Sequence, residues 1–121
     1  MELRETGKTG ATAVLLWPDD GMDAAVFAPV VHTLEKTCRV LVPVFTPEEV
    51  FSARVAAVES ALLTGYDGRI WGAYGLRSGG SALLSLLAGG KVRVRTSIVE
   101  GAVELPAQGR VQQPEHWLSD G

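Results

Sequence analysis

Apolar residues along this chain fall in short blocks whose period switches between strand and helix. Ala13-Val14-Leu15-Leu16-Trp17 is a continuous apolar run ended by Pro18-Asp19-Asp20-Gly21, which predicts a strand buried on both faces followed by a loop. From Ala28 the spacing becomes helical, with Pro29 in the first turn and Val30, Val31 and Leu34 on one face. Arg39 to Val44 reads as a second buried strand. Thr46, Pro47 and Glu49 then form a capping-box signature for a helix carrying Val50, Val55, Val58, Ala61 and Leu62, with Gly65 as its stop. A turn at Asp67-Gly68 leads to a strand from Arg69 to Tyr74, a glycine-rich turn, a helix from Ser81 to Leu87 and a last strand from Val92 to Val99. Glu2 to Thr6 is a candidate edge strand, joined to the first core strand by a hairpin turn at Gly7-Lys8-Thr9-Gly10. Strands alternating with helices over short connections predict one three-layer α/β domain over 1–121, with a mainly parallel sheet of about five strands and helices on both faces. Residues 105–121 lose this pattern and read as an irregular tail in which only Glu115-His116-Trp117-Leu118 is suited to packing, with Trp117 as an anchor.

Composition narrows the function classes. The 121 residues are 46% hydrophobic and 21% charged with a net charge of -3, and the basic residues are scattered, which argues against a nucleic-acid partner. Lys91, Arg93 and Arg95 alternate with Val92 and Val94 and read as the solvent face of a strand. The single cysteine, Cys38, has no second cysteine or nearby histidine, so neither a disulfide nor a metal site is expected. Gly7-Lys8-Thr9 resembles the end of a phosphate-binding loop but precedes a strand instead of a helix, and no other cofactor motif is present. The opening residues lack the apolar core of a signal peptide and no run is long enough for a membrane span, so a cytoplasmic protein without membrane contact is expected.

The chemistry concentrates in Tyr74-Gly75-Leu76-Arg77-Ser78-Gly79-Gly80-Ser81, which has the glycine frame of the G-x-S-x-G nucleophile elbow. With Gly75 and Gly79 as the outer glycines the nucleophile position falls on Arg77, and a guanidinium stays protonated and cannot attack a carbonyl. Arg77 at a helix N-terminus suits either a salt bridge to Asp19, Asp20 or Glu100 or the capture of a small anion. Ser78, one residue late, suits either an N-cap of the following helix or a displaced nucleophile.

From about Ala11 to Ala102 the chain resembles the first half of an α/β-hydrolase core: the strand and loop Leu15 to Gly21, the entry Val26-Phe27-Ala28-Pro29, the elbow, and Val94-Arg95-Thr96-Ser97-Ile98-Val99-Glu100-Gly101. The resemblance implies that the loops after Trp17, Val44, Tyr74 and Val99 surround one crevice. It also implies that the oxyanion-hole N–H donors would be those of Asp19 and Ser78. Trp17-Pro18 stands where the family has His-Gly, and an acid beside the hole would disfavour a developing oxyanion. The later strands that bring the triad's acid and histidine would be missing, so the fold is expected to be truncated. His32 lies within the first helix, which leaves His116 as the candidate base. Two readings follow. In one, the chain is hydrolase-like without standard serine-hydrolase activity and has a structural role or binds a small anionic ligand through Asp19, Arg77 and Ser78. In the other it is an esterase acting on ester ligands, with Ser78 as nucleophile, His116 as base and Glu100 or Glu104 as the orienting acid. Truncation would also expose the 92–99 strand as a sheet edge, to be covered by a homodimer contact or by the tail.

Overall fold

A computed structural model describes residues 1–8 and 12–102. Within them the order is β1 (Glu2–Gly7), β2 (Ala13–Trp17), a short 3-10 turn (Ala24–Phe27), α1 (Ala28–Leu34), β3 (Arg39–Val44), α2 (Phe51–Tyr66), β4 (Arg69–Leu76), α3 (Ser78–Ala88) and β5 (Arg93–Glu100). The strands form one sheet in the order β1-β3-β2-β4-β5, in which β2, β3, β4 and β5 are parallel and β1 is antiparallel. The expected α/β architecture of about five strands is therefore present.

The apolar blocks explain the layers. All five residues of β2 are buried, because its two faces support two different clusters. On one face Ala13, Leu15 and Trp17 join Leu41, Val58 and Leu62 with Ala82, Leu83 and Leu86, so α2 and α3 cover that side. On the other, Val14 and Leu16 join Val40, Val42 and Phe27, with Val31 and Leu34 of α1 packed against them. Helices thus lie on both faces, as strands without a polar face require.

Three local expectations need correction. First, β1 is an edge strand but makes no hairpin with β2. It pairs with β3 from Glu2↔Val44 to Gly7↔Arg39. Both neighbours of β2 are already taken by the parallel strands β3 and β4, so the vacant position lies beyond β3. Gly7 meets a steric demand there: at φ +94 its backbone passes so close to Cys38 that a Cβ would come within 2.2 Å of the Cys38 carbonyl oxygen. Second, Thr46 and Glu49 make only half of a capping box, the Thr46 N–H donating to Glu49 Oε1 at 2.8 Å while the Glu49 N–H donates to the Thr46 carbonyl at 3.1 Å, and they close a separate turn, so that α2 begins at Phe51 after an extended Val50. Third, α2 runs through Gly65 and stops at Asp67, which adopts the left-handed conformation at φ 55.

The turn between β4 and α3 is closely packed backbone against backbone. A Cβ at Gly75 would lie 2.6 Å from Gly80 Cα, and one at Gly79 would lie 2.3 Å from the Trp17 carbonyl oxygen and 2.4 Å from that of Pro18. These obstacles are backbone atoms, which cannot step aside as a side-chain tip can. Gly79→Ala is therefore expected to destabilise the protein by about 2–3 kcal/mol, within the usual range for overpacking. Gly65→Ala, in a helix interior with nothing within 4 Å of the added methyl, is expected to stabilise it by about 0.5–1 kcal/mol. Denaturant melts of the two variants beside wild type check both signs.

Candidate functional site

At the carboxyl end of the sheet, β4 delivers the chain into the turn and α3 leaves it. Arg77 stands at the tip with φ 54 and ψ -116, a conformation that ordinarily costs a side chain of its size of order 1–3 kcal/mol. Its N–H donates to the Glu100 carbonyl at 2.7 Å, which ties the tip to the end of β5. The strained position thus belongs to Arg77. Ser78 is the first residue of α3 and not its cap, so the N-cap assignment for Ser78 is corrected by one residue.

What satisfies the start of α3 is a carboxylate from the other loop. Asp19 Oδ1 accepts the Ser78 N–H at 3.1 Å, the Ser78 hydroxyl at 2.7 Å and the Asp20 N–H at 3.0 Å. Asp19 Oδ2 lies 3.4 Å from Arg77 Nε, so of the three salt-bridge partners expected for Arg77 the side chain takes Asp19. The Ser78 oxygen is itself held from the other side, accepting the Asp20 N–H at 2.6 Å. Negative charge at a helix N-terminus is stabilised by the unpaired N–H groups and the helix dipole. These donors, the Ser78 hydroxyl first among them, hold the Asp19 carboxyl below the usual carboxylate range.

The surrounding cleft, of about 770 Å³, is lined by Trp17 to Ala24, Pro43 to Phe45, the Pro47–Phe51 region, Arg54, Ser78, Gly79 and Ala82, with Arg4 at its rim. One wall is apolar, with the Trp17 and Phe45 rings stacked at 5.9 Å. Arg54 organises the other wall. Its Nη1 lies 2.6 Å from Asp20 Oδ1, its Nε donates to the Glu49 carbonyl at 2.7 Å, its Nη2 donates to the Thr46 carbonyl at 3.2 Å, and its guanidinium sits 5.0 Å from the Phe45 ring centre. Nothing in the sequence singled out Arg54, because an arginine within a helical pattern carries no signal of the loop it will brace.

Of the expected site residues, Asp19 and Ser78 line the cleft and Arg77 touches Asp19 from outside the lining. Glu100 is not with them. It stands opposite Leu76 on β4, and its carboxylate accepts the Tyr74 hydroxyl on the side of the sheet that α1 covers in part. The crevice is thus built by the loops after β2 and β3 and the start of α3, and the loop after Val99 does not contribute described lining. His32 sits on α1 with its ring largely exposed, 3.7 Å from Glu35. His116 and Glu104 lie outside the described residues. Among the described residues no group of His, Cys, Asp and Glu is arranged to hold a metal, and no helix is long and apolar enough to cross a membrane.

The architecture has counterparts among solved structures. An α/β hydrolase family protein from Desulfitobacterium hafniense superposes with a TM-score of 0.76 at 19% identity, covering 84% of this chain and 44% of that one. A study of carboxylesterases from the ammonia-oxidizing thaumarchaeon Nitrososphaera gargenis supplies another, with a TM-score of 0.72 at 12% identity over 88% of this chain and 44% of that one. The fold is that of an α/β hydrolase. A haloalkane dehalogenase loop variant from Bradyrhizobium elkanii shares it too, with a TM-score of 0.71 at 13% identity, 84% of this chain and 36% of that one. The chain thus spans less than half the length of these α/β-hydrolase neighbours. No protein-family model matches it, and no curated protein does.

Two titrations follow from the geometry. Because the folded Asp19 carboxyl titrates below its unfolded value of about 3.9, it adds stability above that pH and loses it as the pH falls through the folded value. Asp19→Asn is expected to flatten the decline of Tm below about pH 4, as measured by thermal melts across acid pH. Burial first, and the Glu100 hydrogen bond second, push the Tyr74 phenol up to about 12. That shift favours the folded state below about pH 10, and the advantage disappears as the pH rises toward the folded value. Ultraviolet titration is expected to find Tyr74 still protonated where free tyrosine is half ionised, with Glu100→Gln moving it partway back.

Proposed function

We propose that this α/β-hydrolase-fold chain carries no serine-hydrolase chemistry on its own elbow and that Asp19, Ser78 and Arg77 act there as a structural lock. The observation that carries this reading is the Asp19 carboxylate on the Ser78 N–H and hydroxyl. In an acyl hydrolase the N–H following the nucleophile must be open to a developing oxyanion. With Arg77 at the nucleophile position that N–H is Ser78's, and it is given to the Asp19 carboxylate. A serine hydroxyl also becomes a nucleophile when a base removes its proton, and a carboxylate held below its ordinary range is a poorer base than an imidazole poised near neutrality. Arg77 at the strained tip supplies positive charge in place of a nucleophile.

The competing esterase reading rests on the chain order Ser78, Glu100 or Glu104, His116, and Glu100 is engaged elsewhere with Tyr74. A small anionic ligand could use the same donors only by replacing Asp19. The cleft that leads to them is lined by Asp19, Asp20, Asp23 and Glu49 against Arg4 and Arg54, which disfavours entry of an anion while Asp19 is in place.

Two experiments test the lock. Folded wild-type protein is expected to show no labelling by a fluorophosphonate probe, and labelling that vanishes in Ser78→Ala would sink the reading. Asp19→Ala is expected to lose about 1–2 kcal/mol of stability, as for removal of a helix cap. Added sulfate should restore part of that loss by filling the vacated donors, with no comparable effect on wild type in parallel thermal melts. Equal sulfate responses in the two proteins would show that Asp19 does not occupy an anion site.

A further inference from the structure

The amino ends of β4 and β5 lie at the end of the sheet away from the cleft, and there the strand register sets Arg69 beside Arg93. Ile70 and Val94, the next residue in each strand, pack with the larger core cluster and so turn both guanidinium groups away from it. Trp71 and Arg95 fall between the pairs Ile70↔Val94 and Gly72↔Thr96, one step further along. Arg69, Trp71, Lys91, Arg93 and Arg95 are all exposed, Trp71 by 49% although β4 is an interior strand. Among the described residues none of the four basic side chains is held in a salt bridge or side-chain hydrogen bond. Like charges side by side on neighbouring strands cost stability, and an indole in water leaves a large apolar surface unburied. A partner that brings negative charge and an apolar group offsets both.

We propose that this surface binds an extended acidic peptide segment of a partner protein, with carboxylates at alternate positions. Arg and Trp are the side chains that most often carry the binding energy of an interface, and a guanidinium takes a carboxylate through two parallel N–H donors. Neighbouring strands hold Arg69 and Arg93 ~4.8 Å apart, and two residues of strand separate Arg93 from Arg95 by ~6.6 Å, the interval at which an extended peptide repeats its side chains on one face. Spacing therefore matches as well as charge. A nucleic-acid strand fits less well, because the surface holds four of the chain's 11 basic residues and leaves seven against 14 acidic ones. A long polyanion running off the surface meets that acidic remainder within a Debye length of ~10 Å. The surface stands at the opposite end of the sheet from Asp19 and Ser78, so it does not depend on the lock.

Fluorescence anisotropy tests this with a short labelled peptide that alternates glutamate with threonine around one central leucine. Wild type is expected to bind it saturably and more weakly as salt is added, and to ignore the same peptide with glutamine in place of glutamate. Arg69→Gln/Arg93→Gln is expected to weaken binding roughly tenfold or more, and Trp71→Ser by about threefold. Arg69→Gln alone should leave Tm unchanged or slightly raised, since it relieves the like-charge row. A lowered Tm would assign the row to the fold itself and overturn the proposal. So would the absence of saturable peptide binding up to ~1 mM, equal affinity in wild type and the double variant, or tighter binding of an oligothymidylate through the same residues.

Discussion

Gly79 brings the backbone of α3 against the carbonyls of Trp17 and Pro18, and this contact governs the functional end of the sheet. Its consequence is that the start of α3 lies against the end of β2, with the Asp19 loop directly over the helix N-terminus. From that juxtaposition come the Asp19 to Ser78 hydrogen bonds, the Arg77 ion pair and the floor of the cleft. A bulkier residue at position 79 would lift the helix and separate these partners together. The strained φ at Arg77 belongs to the same constraint, since the chain must reverse from strand to helix within one residue to permit so close an approach.

The layers of the fold were legible because they rest on periodicity. Continuous apolar runs at Ala13–Trp17 and Val40–Val44 can satisfy two core faces only in the middle of a covered sheet, and both became interior strands. Local contacts misled where tertiary structure had another use for them. Thr46 and Glu49 hold each other as in a helix cap, yet their turn stands apart from α2, whose start is displaced to Phe51. Gly7 carries the left-handed φ expected of a turn, but strand order is decided by which edge is vacant, and spacing along the sequence does not encode that.

The site was legible in part for a similar reason. Gly75, Arg77 and Gly79 fall in a fixed local frame, so the residue at the tip could be read from spacing alone. The partner of Arg77 could be narrowed to three acids but not chosen, because the choice depends on which loop overhangs the helix. Glu100 was drawn into the site by its place at the end of β5. The pleat sends it to the other side of the sheet, to Tyr74, and a shift of one residue would have reversed that outcome. Arg54 escaped notice because its importance comes from the loop carbonyls and Asp20 that it gathers.

The contact between Asp19 and Ser78 spans 59 positions of sequence, with β3 and all of α2 inside the loop it closes. Closing so long a loop costs entropy that only the assembled sheet can offset, so this tie forms after β4 has taken its place beside β2. The Asp19 carboxylate is therefore a reporter of assembly as much as a tie: it meets the start of α3 only where β2 and β4 already lie side by side, so parting those strands must break it.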